Sequence, residues 1–144
     1  MDPNVWGPKL WFMMHTISLN YPENPTIQDK QNNQVFFNNL QNIIPCDLCK
    51  QHYSEYLKTH PIDPHLSNKM SLVKWVLDLH NDVSKRLGKP TWSLNKLLTH
   101  YENTYKSDSG KTSKKLLIVI GFVILFILGY YLFKKYRCQT KLQL

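Results

Sequence analysis

The Cys46-Asp47-Leu48-Cys49 motif holds the residues most suited to chemistry. Pro45 precedes it and residues 50–57 read as a helix, so both cysteines are predicted in the first helical turn. There the unpaired backbone N–H groups and the positive end of the helix dipole stabilise a thiolate, the reactive form in disulfide exchange. The chain has three cysteines, too few for a disulfide framework or a four-cysteine zinc site. The motif predicts a redox-active dithiol; half of a zinc site, with His52 as a further ligand, is the alternative.

Other side chains suit a large aromatic cofactor, which a catalyst of net thiol oxidation needs because a dithiol alone cannot pass electrons to oxygen. Flat rings can stack on a flavin or an adenine; they are Trp6, Trp11 and His15 near one end and His80 further along. Cations that could face a pyrophosphate follow His80; they are Lys85, Arg86 and Lys89. The sequence has no GxGxxG or P-loop motif, so a Rossmann-type site is not predicted.

The elements that position these residues are all predicted to be helices, because apolar residues recur at spacings of three to four. The predicted helices cover residues 6–19, 26–44, 46–59, 69–87 and 94–105. The second helix is expected to bury Val35, Phe36, Leu40, Ile43 and Ile44. Pro22, Pro25 and the Gly88–Pro90 pair are stop signals. The prediction is an all-α fold, a four-helix bundle plus a short fifth helix that holds a cofactor at its mouth.

An apolar run near the C-terminus predicts a membrane span. Residues 116–133 are 18 consecutive uncharged residues, and at about 1.5 Å per residue they extend about 27 Å, close to the ~30 Å hydrocarbon core of a bilayer. Four lysines flank the run: Lys114, Lys115, Lys134 and Lys135. The predicted organisation is a catalytic domain (1–104), a polar basic linker (105–115), a transmembrane helix (116–133) and a short basic tail (134–144). A buried core helix is the alternative reading of the run.

The net charge of +8 is unevenly distributed. Residues 105–144 contain eight Lys/Arg and one Asp/Glu, whereas residues 1–104 contain ten and nine. The excess therefore belongs to the predicted anchor, and the domain lacks the basic footprint of a nucleic-acid binder. No N-terminal signal peptide is visible, so we expect tail-anchored insertion with the catalytic domain in the cytosol, at an endoplasmic reticulum-derived or virion membrane. The role of Cys138 is left open between a free thiol, a lipidated one and an intermolecular disulfide.

Several motifs together resemble the Erv/ALR family of FAD-linked sulfhydryl oxidases. They are Trp6-Gly7-Pro8-Lys9-Leu10-Trp11 with His15, Tyr21-Pro22, Cys46-x-x-Cys49, His80-Asn81-Asp82-Val83 and Leu87-Gly88-Lys89-Pro90. The resemblance covers about residues 5–102 and implies a helical bundle with FAD at its mouth, a homodimer, and O2 as the electron acceptor. The chain lacks a second structural disulfide and a shuttle cysteine pair. In this it resembles the small family members of large cytoplasmic DNA viruses.

The resemblance also implies roles for individual residues. Cys49 would be the cysteine next to the flavin and Cys46 the one that exchanges with substrate. The implied FAD-binding residues are Gly7, Leu10, Trp11, His15, Tyr21, His52, His80, Asn81, Val83, Ser84, Lys85, Lys89 and Tyr101. Ser84 stands where the family motif has Asn, so a weaker polar contact is expected there. No metal site is predicted.

The sequence thus predicts an FAD-dependent thiol oxidase that makes disulfides in a small dithiol protein and passes the electrons to O2, giving H2O2. Disulfide formation in viral proteins is the expected setting. The alternative is a non-enzymatic, membrane-tethered helical adaptor whose CxxC is structural. A colourless folded domain would favour that adaptor.

Overall fold

The computed structural model describes the backbone of residues 1–140 and the side chains of residues 1–106, 117–131 and 134. Five α-helices follow one another: α1 (Pro3–Asn20), α2 (Ile27–Ile43), α3 (Asp47–Thr59), α4 (Lys69–Arg86) and α5 (Leu94–Thr140). A 3-10 turn, Asp63–His65, lies between α3 and α4. Residues 1–140 contain no strand, which confirms the predicted all-α class. The chain divides into two compact units, Met1–Leu98 and Thr99–Leu144.

Side-chain caps fix where the helices of the first unit begin. Thr26 and Asp29 form a reciprocal capping box at the start of α2, and the side chain of Asn68 accepts a hydrogen bond from Ser71 N–H at the start of α4. Such caps satisfy backbone donors that have no partner inside the helix, and each contributes about 1 kcal/mol. Just past the end of α4, Gly88 has a φ of 65°, a left-handed conformation that glycine adopts without steric cost.

The core of the first unit lies where α1 packs against α4 and α2 packs against α3. Trp75, at 2% exposure, occupies its centre; it meets the ring of Phe37 edge-on and donates its indole N–H to the carbonyl of His60. Tyr53 is also buried, and its hydroxyl donates to the carbonyl of Phe37 at 2.9 Å. The polar atoms of Trp75 and Tyr53 are thus paired, so the burial of these two large rings stabilises the fold.

The predicted buried face of α2 is partly wrong. Val35 and Ile43 are 67% and 62% exposed, whereas Phe37 is fully buried beside Leu40 and Ile44. Residues 37, 40 and 44 follow the spacing of one narrow helical stripe. α2 packs against α3 and, through Phe37, against Trp75 of α4, so that stripe is covered while Val35 and Ile43 face solvent.

The fifth helix is longer than predicted. A short helix (94–105) and a polar linker (105–115) were expected, but the backbone is helical from Leu94 to Thr140. The linker was inferred from polarity alone, and polarity does not end a helix when no proline interrupts it. In the part of the chain whose side chains are described, no helix is long and apolar enough to cross a membrane. Residues 116, 132 and 133 of the predicted span lie outside that part, as does Cys138, and the span stays a prediction.

Within the second unit, Tyr101 is buried and its ring meets that of His100 edge-on, with centroids 5.3 Å apart. Burial, with a smaller contribution from Tyr105, raises the pKa of Tyr101 to about 12. Further along the helix, residues 117–131 are exposed.

Candidate redox and cofactor site

Cys46 is the N-terminal cap residue of α3, directly before its first residue, Asp47. Pro45 disfavours helical backbone before it, and the Cys46 N–H donates to the carbonyl of Ile44 at 2.8 Å in a tight turn out of α2. The Sγ of Cys46 accepts a hydrogen bond from the N–H of Cys49 at 3.2 Å, which makes it the N-terminal cap of α3. The two cysteines form a disulfide with their Cα atoms 5.2 Å apart. The predicted position of the motif in the first turn of a helix is confirmed.

The surroundings of the disulfide favour a thiolate when the bond is reduced. The free N–H groups and the positive end of the α3 dipole face the cap position, and an anion there is stabilised. Asp47 would oppose this, but Lys50 lies 3.3 Å from its carboxylate. Both thiols are engaged in the disulfide, and no cluster of three or more metal-ligating side chains occurs in the described part of the chain. In this structure the two sulfurs that the zinc alternative needs as ligands are bonded to each other.

The disulfide lies against the hydrophobic core of the first unit. Cys46 and Cys49 are half-buried and pack on it, as do three residues of α1: Trp6, Leu10 and Trp11. His52, one turn after Cys49, is also half-buried. The same core thus carries the predicted redox pair and the first ring-bearing residues of the predicted cofactor pocket.

Two of the predicted rings stack between α1 and α4. Trp11 and His80 lie nearly parallel, with centroids 4.3 Å apart and planes 13° apart. His15 is 1% exposed, and its Nε2 lies 2.9 Å from Nδ1 of His80. This bond needs one ring to donate and the other to accept. Burial, and to a smaller extent the charge of Lys89, lowers the pKa of His80, so a neutral His80 is favoured and the bond can form.

Trp11, His15 and His80 lie together, and Trp92, which the sequence did not predict, is the fourth residue of this group; we call the four the ring cluster. Trp92 lies 5.9 Å from His80, tilted by 40°. The amide of Asn81 holds it: Asn81 Nδ2 donates to the Trp92 carbonyl at 2.9 Å, and the Trp92 N–H donates to Asn81 Oδ1 at 2.8 Å. Lys96 lies over its indole ring at 4.9 Å. The sequence feature that could have indicated a role for Trp92 was its position, three residues after Lys89 in the loop that follows α4.

Other predicted binding residues lie in different settings. Tyr21 is buried and its hydroxyl donates to the carbonyl of Leu66 at 3.0 Å, so in this structure it braces the core. Ser84 is buried, and its carbonyl accepts from the N–H of Lys89. Lys85 and Lys89 are exposed. Gly7 and Val83 are half-buried on α1 and α4, and Tyr101 belongs to the second unit.

A polar cleft of about 350 Å³ opens beside the ring cluster. It is lined by Tyr56, His60, Asp78, Asn81, Asp82, Lys85 and Thr91. Tyr56 stacks on His60 at 4.4 Å, and burial, with Asp78 and Asp82, raises the pKa of Tyr56 to about 12. Asn81 and Lys85 join this cleft to the predicted site.

The side chains present are of the kinds that FAD requires. The stacked Trp11–His80 pair offers flat, neutral aromatic surface, and Lys85 and Lys89 offer exposed cations for a diphosphate. The indole Nε1 of Trp6 is buried without a hydrogen-bond partner among the described residues, an arrangement that is uncommon in native structures and is explained by an absent acceptor. The donor set therefore fits a large aromatic dinucleotide.

A helical unit with a CxxC disulfide at a helix N-terminus defines a protein of the thiol–disulfide exchange class. The sequence model of the Erv1/Alr family matches residues 8–106. The chain therefore belongs to the Erv1/Alr family, as its motifs predicted.

Similar proteins include viral and mitochondrial ones. The chain is 37% identical over 116 residues to the probable FAD-linked sulfhydryl oxidase R368 of Acanthamoeba polyphaga mimivirus, covering 80% of this chain and 77% of that protein. It is 30% identical over 109 residues to an African swine fever virus FAD-linked sulfhydryl oxidase, covering 74% and 85%. The mitochondrial FAD-linked sulfhydryl oxidase ERV1 of Saccharomyces cerevisiae is 30% identical over 94 residues, covering 65% and 49%. The predicted likeness to viral members is confirmed.

The fold is also similar to that of solved structures. The FAD-binding domain of Erv1 from Saccharomyces cerevisiae superposes with a TM-score of 0.67 at 28% identity, covering 72% of this chain and 96% of that one. The yeast Erv1 core gives a TM-score of 0.63 at 29% identity, covering 67% and 80%. The helices that hold the candidate site thus belong to a shared architecture.

Proposed function

We propose that this protein is an FAD-dependent sulfhydryl oxidase that makes disulfides in substrate dithiols and passes the electrons to O2, giving H2O2. The predictions of an enzyme of this class and of FAD as its cofactor are confirmed by family membership. The observation that carries the proposal is the Cys46–Cys49 disulfide at the start of α3, packed on the same core as Trp11.

The two cysteines have different roles in the proposed reaction. A substrate thiolate attacks Cys46, the bond between the two sulfurs breaks, and Cys49 leaves as a thiolate. The second substrate thiolate then displaces Cys46, so the substrate is oxidised by two electrons and the enzyme dithiol is reduced. The backbone N–H groups of the first turn of α3 stabilise the thiolate that results. Bound FAD supplies the two-electron route from this dithiol to oxygen.

The remaining residues bind and orient the cofactor in this proposal. Trp11, His80 and Trp92 present stacking surface, and Lys85 and Lys89 neutralise the diphosphate. Asn81 acts indirectly, because its amide forms two hydrogen bonds with the backbone of Trp92 and so positions that ring.

The purified protein tests the proposal directly. It should be yellow, with flavin absorbance that survives dialysis, and it should consume O2 and release H2O2 when dithiothreitol is added. The matched control is Cys46→Ser/Cys49→Ser, which should bind the flavin and consume no O2. A colourless, folded protein without thiol oxidase activity would contradict the proposal and favour a helical adaptor with a structural CxxC.

We further propose a small dithiol protein as substrate, disulfide formation in viral proteins as the setting, and a homodimer as the working form. The viral relatives support the setting. Sedimentation of the purified protein should give twice the chain mass of 17.1 kDa. A dithiol partner should be trapped as a mixed disulfide with Cys46 when Cys49 is replaced by serine. A monomeric protein would contradict the proposed homodimer. The absence of any trapped protein in infected cells would contradict the proposed dithiol protein substrate.

The predicted anchor is likewise a proposal. It is supported by the 18-residue uncharged run 116–133 and its flanking lysines. We propose that this run spans an endoplasmic reticulum-derived or virion membrane, with residues 1–104 on the cytosolic side. Carbonate extraction should leave the full chain in the membrane pellet and release a version ending at residue 105. Protease added to intact vesicles should reach residues 1–104, and their protection would contradict the orientation.

A further inference from the structure

Three apolar side chains beside the disulfide are open to solvent. Ile43, the last residue of α2, is 62% exposed, and Leu48, between the two cysteines, is 61% exposed. Pro45 is also exposed. Each of the three lies within three residues of Cys46 or Cys49, so we call them together the apolar lip.

The chain around the apolar lip carries almost no charge. No Asp, Glu, Lys, Arg or His occurs in residues 31–46. The first charged residue after this stretch, Asp47, is paired with Lys50 at 3.3 Å. A partner that approaches the disulfide along α2 thus meets amide and apolar groups, and charge attraction contributes little to the encounter.

Disulfide exchange requires the partner to touch this surface. The attacking thiolate must reach a sulfur of the Cys46–Cys49 bond, which brings the residues beside its own cysteine against the residues beside Cys46 and Cys49. Consecutive Cα atoms are about 3.8 Å apart, so side chains within three residues of a reacting cysteine lie inside the contact area. The exposed apolar lip would be covered by the partner at that moment.

We propose that the apolar lip is a substrate-docking surface for a cysteine-bearing segment that is uncharged and apolar next to its two cysteines. This inference rests on the proposed function, because the occupant is the substrate of that reaction. In the docked state the two substrate thiols become a disulfide and the Cys46–Cys49 disulfide becomes two thiols, so two electrons and two protons pass to the enzyme. The lip selects which dithiols react; the chemistry stays with the cysteines.

The experiment compares two synthetic dithiol peptides that differ only beside their cysteines, one with leucine and one with serine at those positions. The measured quantity is the ratio of kcat/KM for the two peptides, from O2 consumption by the flavin-loaded full chain. The wild type should prefer the leucine peptide by about tenfold, since burying one leucine side chain corresponds to at least that factor. In Ile43→Ser/Leu48→Ser the ratio should fall to about two or below.

Val35→Ser is the matched control. Val35 is as exposed as Ile43 and lies on the same helix two turns earlier, so the preference for leucine should persist in this variant. The wild-type kcat/KM for the leucine peptide should also change less than about twofold between 50 mM and 500 mM salt, because residues 31–46 carry no charge and Asp47 is paired with Lys50.

Each other outcome has a definite meaning. If the wild type turns over dithiothreitol but does not prefer the leucine peptide, or if Val35→Ser loses the preference as well, the docking inference is wrong while the proposed function stands. If the wild type oxidises neither peptide nor dithiothreitol, the proposed function itself fails. If Ile43→Ser/Leu48→Ser changes the oligomeric state in sedimentation, the lip is an interface between copies of this chain and the inference is overturned.

Discussion

The start of α3 and the ring cluster between α1 and α4 form their contacts in different ways. At the start of α3, Cys46 and Cys49 are three residues apart, and their disulfide and cap bond arise from local geometry. In the ring cluster, His15 and His80 are 65 residues apart and meet because two helices pack together. The contacts at the start of α3 are local and do not depend on tight packing of the whole fold. The contacts of the ring cluster form only when α1 and α4 are packed together. Substitutions should therefore separate the two regions, one affecting chemistry and the other binding and stability.

The largest effect is expected at the cysteines. Cys49→Ser and Cys46→Ser should each lower turnover of dithiothreitol by about 10³-fold or more, since the two sulfurs act as a unit. The two serine variants should have similar flavin content and similar melting temperatures, because neither cysteine belongs to the ring cluster. Flavin absorbance per chain and oxygen consumption measure the two properties separately. Wild-type turnover in Cys49→Ser would disprove its assignment.

The next effect is expected in the ring cluster. Trp11→Ala or His80→Ala should lower flavin retention, because each removes one half of the stacked pair, and should destabilise the fold by about 2–4 kcal/mol for the large Trp11 ring. Loss of a ligand that binds only the folded state should lower the melting temperature further. Calorimetry with and without added FAD separates the two contributions. Unchanged flavin content in both variants would count against this pocket.

A smaller effect is expected for Asn81→Ala, which releases the backbone of Trp92. The two hydrogen bonds lost are worth about 0.5–1.5 kcal/mol each, so FAD affinity should fall by about tenfold while the apoprotein stays folded. Fluorescence quenching on FAD titration gives the affinity, and Asn95→Ala on the exposed face of α5 is a suitable control. If Asn81→Ala bound FAD as tightly as the wild type, Trp92 would have no place in the site.

The smallest expected effect is a pH dependence that the ring cluster has and the disulfide lacks. Burial lowers the pKa of His80 in the folded state, so below the ordinary histidine pKa of about 6.5 the unfolded chain binds more protons. The contribution of His80 to stability is therefore present above that pH and is lost as the pH falls below it. Melting temperatures of the wild type and His80→Gln at pH 5.5 and 7.5 check this. Equal pH slopes in the two proteins would contradict it.

The start of α3 could be predicted from the sequence because its contacts are local, whereas the long-range contacts of the ring cluster could not. The helix bearing the CxxC could be placed because a proline, two cysteines and an uninterrupted helical pattern lie within a few residues. The start of α4 and its stop at Gly88 were also readable, since caps and glycine stops are local signals. The partner of a ring is different, because no local signal says that Asn81 holds Trp92 across a loop.

Two expectations failed for a related reason. Val35 and Ile43 were expected to be buried because they are apolar, but burial depends on which neighbour covers a stripe of α2. The linker at 105–115 was expected because it is polar, yet no residue in it forbids helix. The composition of a segment limits which structures it can adopt, and its packing against neighbours decides which of its residues are buried. The hydroxyl of Tyr21 donates to the carbonyl of Leu66, and the expected place of its ring in the cofactor pocket stays a prediction.

Because Cys46 is both the proposed exchange cysteine and the N-terminal cap of α3, the reduction potential of the pair is tied to the stability of the start of that helix. A thiolate accepts the Cys49 N–H bond more strongly than a disulfide sulfur does, so the reduced protein is favoured at this position. Each 1.4 kcal/mol gained by the reduced form raises the potential by about 30 mV. Asp47, the acidic residue in that first turn, works against the thiolate. Evolution of this one side chain can therefore set how strongly the enzyme oxidises its substrates without altering either cysteine.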